Sequence, residues 1–377
     1  MSLPGFSRSR DFPTLDDQTY LNTAAEGIPP QVVLEALAQY GQDKLLGMDG
    51  RIPHEQQRNE VLQQTARAYG LSPEEIGVCS CSSEAYNLLA LAMELVPGDE
   101  VIVNDLDFPT GITPWLQPTC AATVRVWKSR QGALRVEDLI PLLNRQTRLL
   151  TVSLVSFYNG FMIPLRHMID AIRRHSSALI ALDVTQALGR VPLDTTDVDV
   201  IISSTHKWIL ASHGGGLVGV RNRCADRLTA RAGGWYHLHN AFDADRLDRV
   251  VTRPGAASFS VGMPNYPAIY AISAALKYLH GLGIDAIHHS TQHLVQACWE
   301  GLRQLDIEML TPNEPDAWAG ILAFRHPQAD RIHRRLHEQR IHIMHQAGRL
   351  RVAIHFYNTM DDVHRFLLAL QQALQES

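Results

Sequence analysis

The sequence lacks a long hydrophobic run and contains only five cysteines, and these two features exclude several classes of protein. No apolar stretch approaches the roughly 18 residues that a membrane-spanning helix needs, and the first residues lack the apolar segment of a signal peptide. The cysteines are odd in number and unevenly spaced, and Cys79 and Cys81 stand too close together for a CxxC redox or zinc pair. We therefore expect a cytoplasmic protein with reduced thiols and no membrane partner.

An excess of positive charge is also absent. The 377 residues include 34 Lys and Arg against 39 Asp and Glu, which gives a formal net charge of -5. The basic residues are scattered along the chain, and this argues against a nucleic-acid partner. With 45% hydrophobic and 19% charged residues, the chain is expected to be an ordinary globular protein that is large enough for two domains.

The first two thirds of the chain alternate short apolar segments with helical patterns. Nearly continuous apolar strands separated by helices predict an α/β domain whose mostly parallel sheet is covered on both faces. The helical patterns include Glu84–Leu95 and Pro164–His175, and the predicted strands are Val101–Asn104, Thr123–Trp127, Leu149–Leu154, Leu179–Leu182, Val200–Ile202 and Gly216–Val220.

The pattern changes after about residue 260. Two long helical patterns, 265–282 and 285–305, precede short strands at 320–324 and 350–354 and a last helix at 361–374. This order is typical of a smaller α+β domain. We therefore predict a large domain over residues 15–258 and a small domain over residues 259–377, to which residues 1–14 also belong.

Two residues at strand ends indicate the chemistry. The apolar segment Leu179–Leu182 ends in Asp183, and the next apolar segment is followed by Ser-Thr-His and then Lys207. Ligands in such sheets bind at the carboxyl ends of strands. A lysine there can form a Schiff base with pyridoxal 5'-phosphate (PLP), and a carboxylate can keep the pyridinium nitrogen of PLP protonated. The pair predicts a PLP site, although a lone strand-end aspartate is often only a helix cap.

A cradle for the phosphate group is found near residue 80. Small and hydroxylic residues, among them Ser82 and Ser83, stand immediately before a helical pattern. The free N–H groups and the dipole of a helix N-terminus, together with hydroxyl donors, favour a dianion. Either serine could instead simply cap the helix. Beside Asp183 and Lys207 the phosphate interpretation is favoured.

From Tyr20-Leu-Asn-Thr-Ala-Ala25 to Tyr357-Asn-Thr-Met-Asp-Asp362, the chain resembles the class V family of fold-type I PLP-dependent enzymes. That family includes cysteine desulfurases, kynureninases, isopenicillin N epimerase-like proteins and several aminotransferases. The resemblance covers nearly the whole length. It implies the PLP-dependent transferase fold of type I, with a seven-stranded type of sheet, and a homodimer whose sites are completed by the second subunit.

The resemblance also implies roles for individual residues. Lys207 is implied to be the Schiff-base lysine, and Arg351 to bind the α-carboxylate of the substrate. A guanidinium fork suits a planar carboxylate, but Arg349 lies on the same strand face, and one of the two could be a solvated neighbour. Ser82, Ser83, Ser204 and His206 are implied to bind the phosphate, Asp183 to pair with the pyridinium nitrogen, Gln186 to donate to the ring 3'-oxygen, and Phe108 to stack on the ring.

The sequence departs from the family pattern at positions that bear on the reaction. The segment Ile341–Arg349, which precedes Arg351, is short and has no cysteine, so a persulfide-forming loop is not expected. Phe108 stands where the family usually has histidine, and phenylalanine can stack on a ring but cannot transfer a proton. Phe157 stands where an asparagine near the cofactor oxygen is frequent. Either Asn159 fills that role or no residue does.

Another departure concerns the contact between subunits. Met263 stands where the family has a threonine that reaches the phosphate in the partner subunit. Ser258 or Ser260 could substitute for that threonine.

We predict a PLP-dependent enzyme that acts on a small-molecule amino acid through a Lys207 Schiff base, most simply a class V aminotransferase. The alternatives are an epimerase similar to isopenicillin N epimerase and a cysteine or selenocysteine lyase. A second alternative is a PLP-binding protein without catalysis. The histidines near the C-terminus form no recognised zinc pattern, so we predict no metal.

Overall fold

The computed structural model describes residues 3–375. Residues 1–2 and 376–377, which form the two ends of the predicted small domain, lie outside the described residues. Among residues 3–375, no helix combines the length and the hydropathy needed to cross a membrane. The strands are β1 (Thr19–Tyr20), β2 (Ile76–Cys79), β3 (Glu100–Asn104), β4 (Thr123–Trp127), β5 (Thr147–Ser153), β6 (Leu179–Asp183), β7 (Val200–Ser204), β8 (Gly216–Val220), β9 (Glu308–Met309), β10 (Ile321–Arg325), β11 (Ile341–His342), β12 (Met344–Gln346) and β13 (Arg349–Ala353). The helices are α1 (Arg8–Asp11), α2 (Gln31–Leu45), α3 (Arg51–Tyr69), α4 (Ser82–Met93), α5 (Val136–Leu139), α6 (Leu165–His175), α7 (Tyr266–Leu282), α8 (Ile284–Leu302), α9 (Ala329–Glu338) and α10 (Met360–Gln375).

Seven strands form the central sheet, in the spatial order β2-β8-β7-β6-β5-β3-β4. Within this sheet β8 runs antiparallel to both neighbours, and the other adjacent strands are parallel. Side chains alternate between the two faces: Leu149 packs in the core that contains α4, and Leu150 packs in the core that contains α6 and α7. The predicted α/β fold with a mostly parallel, doubly covered sheet is confirmed.

A second, four-stranded antiparallel sheet has the order β12-β13-β10-β9. Its apolar side chains, such as Leu322 and Val352, share a buried core with α8, α9 and α10. Helix α7 instead packs against α2 and α3, and its buried residues belong to the core of the central sheet. We therefore propose that the small domain begins at α8, after Leu282, and not at the predicted residue 259.

The segment that follows β1 connects the two domains. Strand β1 pairs in parallel with β11, and Asn22 forms an isolated bridge with Ala353 of β13. At the other end of this segment, the N–H of Gly27 donates to the carbonyl oxygen of His206 at 2.8 Å. A Cβ at Gly27 would lie 2.1 Å from the carbonyl oxygen of Lys207, so only glycine permits this close approach.

Candidate functional site

Three strand ends meet at one edge of the central sheet. Strands β2, β6 and β7 run in the same direction, since β6 is parallel to β7 and β8 lies antiparallel between β7 and β2. Asp183 is the last residue of β6, and Ser204 is the last residue of β7. Lys207 follows Ser204, and α4 begins at Ser82, just after β2. The topology therefore brings the predicted acid, amine and hydroxyl residues to one edge.

Asp183 is a buried carboxylate with 7% exposure. The N–H of Thr185 donates to its Oδ1 at 2.7 Å, and the hydroxyl oxygen of Thr185 accepts from the N–H of Ser204 at 3.0 Å. Burial raises the pKa of Asp183 above its ordinary value, while hydrogen bonds from Thr185 and the charge of Lys207 oppose that rise. A cationic group placed against this carboxylate would hold it in the charged form.

Lys207 presents its amine beside an aromatic ring. Its Nζ lies 5.2 Å from the centroid of the Phe108 ring. Burial lowers the pKa of Lys207 to about 8; the negative charge of Asp183 opposes this effect, and the positive charge of Arg351 adds to it. Because the pKa is lowered, a larger share of this amine is uncharged near neutral pH than in an ordinary lysine.

Hydroxyl groups surround the N-terminus of α4. The hydroxyls of Ser82 and Ser204 lie 2.8 Å apart, which joins the start of α4 to the end of β7. The hydroxyl of Thr110 donates to the hydroxyl oxygen of Ser83 at 2.7 Å. With the unpaired N–H groups of the first helical turn, these hydroxyls suit a dianion. Sequence analysis missed Thr110, because it lies in a short 3-10 turn that carries no motif.

His206, the fourth predicted phosphate ligand, is partly exposed and stacks on His213 with ring centroids 4.4 Å apart. Burial and the nearby charge of Lys207 lower the pKa of His206 to about 4, so its imidazole is neutral near pH 7. Glu26, His206 and His213 are the one group within residues 3–375 whose metal-ligating atoms lie within 4.8 Å of one another. His206 is also one of the predicted phosphate ligands, so this cluster does not by itself establish a metal site. The absence of a metal stays a prediction.

Gln186 is buried three residues after Asp183. Its Nε2 donates to the carbonyl oxygen of Ala24 at 3.1 Å, and its Oε1 accepts from Nε1 of Trp208 at 2.6 Å. These two bonds fix the orientation of the amide. One hydrogen of Nε2 remains available, which is what donation to a cofactor oxygen would require.

Two phenylalanine rings line the site next to the lysine. Phe108 is 43% exposed and packs edge-to-face against Phe157, with ring centroids 5.0 Å apart. Neither ring can give or take a proton. Phe108 lies beside the lysine amine, where its ring can stack on a flat ligand. Any proton transfer at the site must be carried out by another group.

The side chain of Asn159 forms all of its hydrogen bonds to backbone groups of the protein. Its amide nitrogen donates to the carbonyl oxygens of Gly132 and Leu310, at 2.7 and 3.2 Å, and its Oδ1 accepts from the N–H of Phe161. Both amide hydrogens are thereby used. The structure does not support the predicted cofactor contact of Asn159, because the side chain anchors its own loop and has no donor left.

Neither serine suggested as a substitute for the family threonine has a free hydroxyl. The hydroxyl of Ser258 donates to the carbonyl oxygen of Gly255, and the hydroxyl of Ser260 donates to the carbonyl oxygen of Val78, both at 2.7 Å. Both side chains are buried, whereas Met263 is 44% exposed. The two serines therefore stabilise strand β2 and the turn at Gly255 of their own chain.

Arg349 and Arg351 lie on the same face of β13. Their side chains are both buried, at 3% and 2% exposure, so neither is the solvated neighbour that the sequence left open. Nη1 of Arg351 donates to the carbonyl oxygen of Phe157 at 2.7 Å. Burial, and then the positive charge of Arg349, lowers the pKa of Arg351 to about 9.

The strand before these arginines carries no thiol nucleophile. Strand β12 pairs antiparallel with β13 across a tight turn, and the segment Ile341–Arg349 contains no cysteine. Cys79, Cys224 and Cys298 are buried, and Cys81 is exposed at the N-cap of α4. Burial raises the pKa of Cys224 to about 11 and of Cys298 to about 12. These two thiols are therefore inert.

Comparisons with known proteins agree with this geometry. The family model of class-V aminotransferases matches residues 19–366. An uncharacterized aminotransferase of Bacillus subtilis is 25% identical over 357 residues, which are 93% of each chain. A probable cysteine desulfurase of Synechocystis is 27% identical and covers 97% of this chain and 94% of its own.

Solved structures share the fold. The cystine C–S lyase C-DES, in a form with glycine linked to its PLP cofactor, has a TM-score of 0.88 at 23% identity and covers 97% of this chain and 99% of its own. A cysteine desulfurase from Thermococcus onnurineus has a TM-score of 0.90 at 20% identity and covers 100% of this chain and 99% of its own. The predicted fold of type I is thereby confirmed.

Proposed function

Because the chain belongs to the class-V aminotransferase family, we propose that it binds PLP and acts on an α-amino acid. The residues present fit this cofactor. Asp183 is a buried carboxylate whose pKa is raised by burial, and it would be stabilised by a protonated ring nitrogen. The hydroxyls of Ser82 and Ser204 stand at a helix N-terminus, where a phosphate group is favoured.

Each side chain of the site has one task in this proposal. Ser82, Ser83, Ser204 and His206 hold the phosphate, Gln186 and Phe108 position the ring, and Asp183 keeps the ring nitrogen protonated. When PLP is bound, it withdraws the electron pair that remains at the substrate Cα after a bond there breaks. Arg351 holds the substrate carboxylate, and the Nζ of Lys207 removes and returns a proton.

One observation carries the choice of reaction: among the side chains assigned above to the cofactor and the substrate, Lys207 is the proton carrier suited to neutral pH. Its pKa is about 8, whereas that of His206 is about 4, and Phe108 cannot carry a proton. A single amine can take the proton from the substrate Cα and deliver it, on the same face of a planar ligand, to the carbon on the other side of the amino nitrogen. That relay is what amino-group transfer requires, and we propose that the protein is an aminotransferase.

A C–S lyase is the second candidate, favoured by the similarity to a cystine C–S lyase and to a probable cysteine desulfurase. A lyase that releases a stable thiolate or persulfide from a disulfide needs no additional acid beside Lys207. The segment before Arg351 has no cysteine, so transfer of sulfur to an enzyme thiol is disfavoured. Racemisation is less well supported, because it calls for proton delivery to both faces of Cα.

We also propose that the protein is a homodimer. Apolar side chains are exposed in one stretch of the large domain, namely Trp235, Phe242, Leu247 and Val250, and nearby in the sequence at Met263. Exposed apolar groups of this number mark an association surface. Sedimentation at micromolar concentration should give twice the mass of 42.1 kDa, and a monomer would contradict this proposal. The cytoplasmic location and the absence of a nucleic-acid partner stay predictions.

The function is tested by mixing the PLP-loaded protein with single amino acids and measuring keto acid, sulfide and enantiomer in the same samples. We expect stoichiometric keto acid, together with a loss of the visible cofactor absorption that a second keto acid reverses. Sulfide, or pyruvate in excess over the cofactor without an acceptor, would identify the lyase instead. Lys207→Ala should abolish turnover, and Lys277→Ala, at an exposed lysine of α7, should not. A protein without cofactor absorption would overturn the PLP proposal.

A further inference from the structure

Two arginines at the site are buried without a negative partner. Arg349 and Arg351 are 3% and 2% exposed, and no acidic side chain among residues 3–375 contributes to the pKa of either. Burial is the main cause that lowers the pKa of both arginines; Tyr158 opposes this effect at Arg349 while Arg325 adds to it, and the positive charge of Arg349 adds to it at Arg351. A buried guanidinium that lacks both a counter-charge and a partner for one of its nitrogens is strongly destabilising, so the missing negative charges are expected from a ligand.

A third buried arginine shows what a purely structural arginine looks like in this chain. Arg190 is fully buried, yet its Nε donates to the carbonyl oxygen of Ile354, its Nη2 to that of Ala319, and its Nη1 lies 3.5 Å from the ring of His288. All three of its nitrogens therefore have partners. By contrast, the Nε atoms of Arg349 and Arg351 are buried without any hydrogen-bond partner in the described residues.

The rings of Phe157 and Phe108 connect the Arg349 guanidinium to the amine of Lys207. The Arg349 guanidinium carbon is 5.2 Å from the ring centroid of Phe157, and that ring contacts Phe108 at 5.0 Å. Phe108 in turn lies 5.2 Å from the Nζ of Lys207. Because Arg349 and Arg351 alternate with Leu350 on β13, their Cα atoms are roughly 6 to 7 Å apart along one face. Two anionic groups on one small molecule can span this separation.

The partners that Arg349 does have are neutral. Its Nη1 donates to the carbonyl oxygen of Tyr158 at 2.9 Å and its Nη2 to Oε1 of Gln346 at 3.2 Å, while the ring of Tyr158 stacks on it at 4.4 Å. Arg325 lies opposite Arg349 in the sheet register and adds a further positive charge, which Glu308 at 3.7 Å offsets. The contacts orient the Arg349 guanidinium without neutralising it.

We propose that Arg349 binds a second carboxylate, so that the substrate is an α-amino acid whose side chain ends in a carboxylate group. This inference rests on the proposed function in one respect, since Arg351 is taken to hold the α-carboxylate. The side-chain carboxylate supplies the missing negative charge beside the Arg349 guanidinium and enters next to Phe157, whose ring is partly exposed. An amide at the same position would leave the positive charge uncompensated.

The test uses dicarboxylates without an amino group, so that binding is measured in the absence of any reaction. Succinate, glutarate and adipate, each paired with its monoamide, are titrated into the PLP-loaded protein by calorimetry. We expect the dicarboxylate that matches the spacing to bind about 10- to 100-fold more tightly than its monoamide, the range of a charge-assisted hydrogen bond. Equal affinity within every pair, including no measurable binding of any probe, would overturn the proposal.

Variants assign the preference to one residue. In Arg349→Gln the difference between dicarboxylate and monoamide should disappear, whereas Arg349→Lys should retain part of it. Arg325→Gln, a matched change on the same sheet face at a half-exposed arginine, should retain the preference within about 2-fold. A preference that survives in Arg349→Gln would refute the assignment. If Arg349→Gln does not fold, Arg349→Lys provides the test instead. A dicarboxylate preference that is as strong in Arg349→Lys as in the parent would also refute the assignment to Arg349.

The experiments can refute the aminotransferase proposal and the Arg349 proposal independently of each other. If the protein binds PLP and prefers dicarboxylates but produces no keto acid, the aminotransferase function is wrong and the second anion site stands. If keto acid is formed equally from glutamate and glutamine while no dicarboxylate is preferred, the function stands and the role of Arg349 is wrong.

Discussion

The Lys207 amine should destabilise the cofactor-free protein, and replacing it by methionine should make that protein more stable. Burial lowers the pKa of Lys207 from 10.5 to about 8, and each pKa unit corresponds to about 1.4 kcal/mol. Below pH 8 the folded chain must hold the buried amine in its charged form, which costs about 3 kcal/mol relative to the unfolded chain. Methionine has a similar length and carries no charge, so Lys207→Met removes that cost.

The pH dependence of this gain has a definite sign. Between pH 8 and 10.5 the unfolded chain still binds the proton that the folded chain has released, so the stability of the parent rises with pH in this window. The advantage of Lys207→Met should therefore be about 3 kcal/mol at pH 7, about 2 kcal/mol at pH 9 and less than about 1 kcal/mol at pH 10.

Urea unfolding of the PLP-free proteins at these three pH values measures the difference directly. Lys277→Met is the matched control, because that lysine is half exposed and pairs with Glu60 at 3.3 Å. Its removal should give no gain at any of the three values, since an exposed ion pair contributes about 0 to 1 kcal/mol. A gain for Lys207→Met that stays constant from pH 7 to pH 10, or a loss of stability at pH 7, would refute the reasoning.

Three further changes probe other parts of the site. Ser82→Ala should weaken PLP binding about 10-fold or more in equilibrium dialysis, because a charge-assisted hydrogen bond to the phosphate is lost. The control Ser203→Ala, at a buried serine next to Ser204, should change PLP binding little. Equal effects of the two changes would contradict the phosphate-binding role of Ser82. Gly160→Ala should lower the free energy of unfolding by more than about 2 kcal/mol, because φ is +80 there and the new Cβ would lie 2.1 Å from a carbonyl oxygen. The control Gly348→Ala, at φ +73 in open space, should cost only about 1 to 2 kcal/mol. Similar losses for both variants in urea titrations would refute the predicted clash. Cys81→Ser should keep the full turnover rate in the amino-acid assay, and a loss of sulfide release would reveal a persulfide role that the structure does not indicate.

The sequence predicted the central sheet well because most of its strands are buried on both faces, the edge strand β4 excepted. Six apolar segments coincide within a few residues with strands β3 to β8, since a strand that must be apolar throughout stands out from its polar flanks. Strand β2 was not predicted, because its four residues include a glycine and a cysteine and give no period. Helices α2 and α3 were also missed: few of their residues are buried, so their apolar pattern is weak.

The predicted site residues at and just after the strand ends are brought together, and so is Phe108, whereas the contact predicted for Asn159 is not supported. Asp183 ends β6 and Lys207 follows the end of β7 by three residues, so the parallel arrangement of these strands brings both to one edge of the sheet. Asn159 lies in a loop whose course depends on carbonyl groups far away in the sequence, such as that of Leu310. No pattern within the loop encodes those partners. The charge of Arg349 was likewise visible in the sequence, but its burial without a counter-charge required the packing of β13.

The pairing of β1 with β11 bears on the order in which the chain can mature during synthesis. The segment after β1 supplies the Gly27 amide that fixes the lysine backbone and the Ala24 carbonyl that orients Gln186. That segment is itself held by residues 341–353, near the other end of the chain. A nascent chain that has released all the strands of the central sheet from the ribosome would still lack a fixed lysine. Cofactor capture is thus expected to wait for the last part of the chain, so premature termination yields protein without PLP.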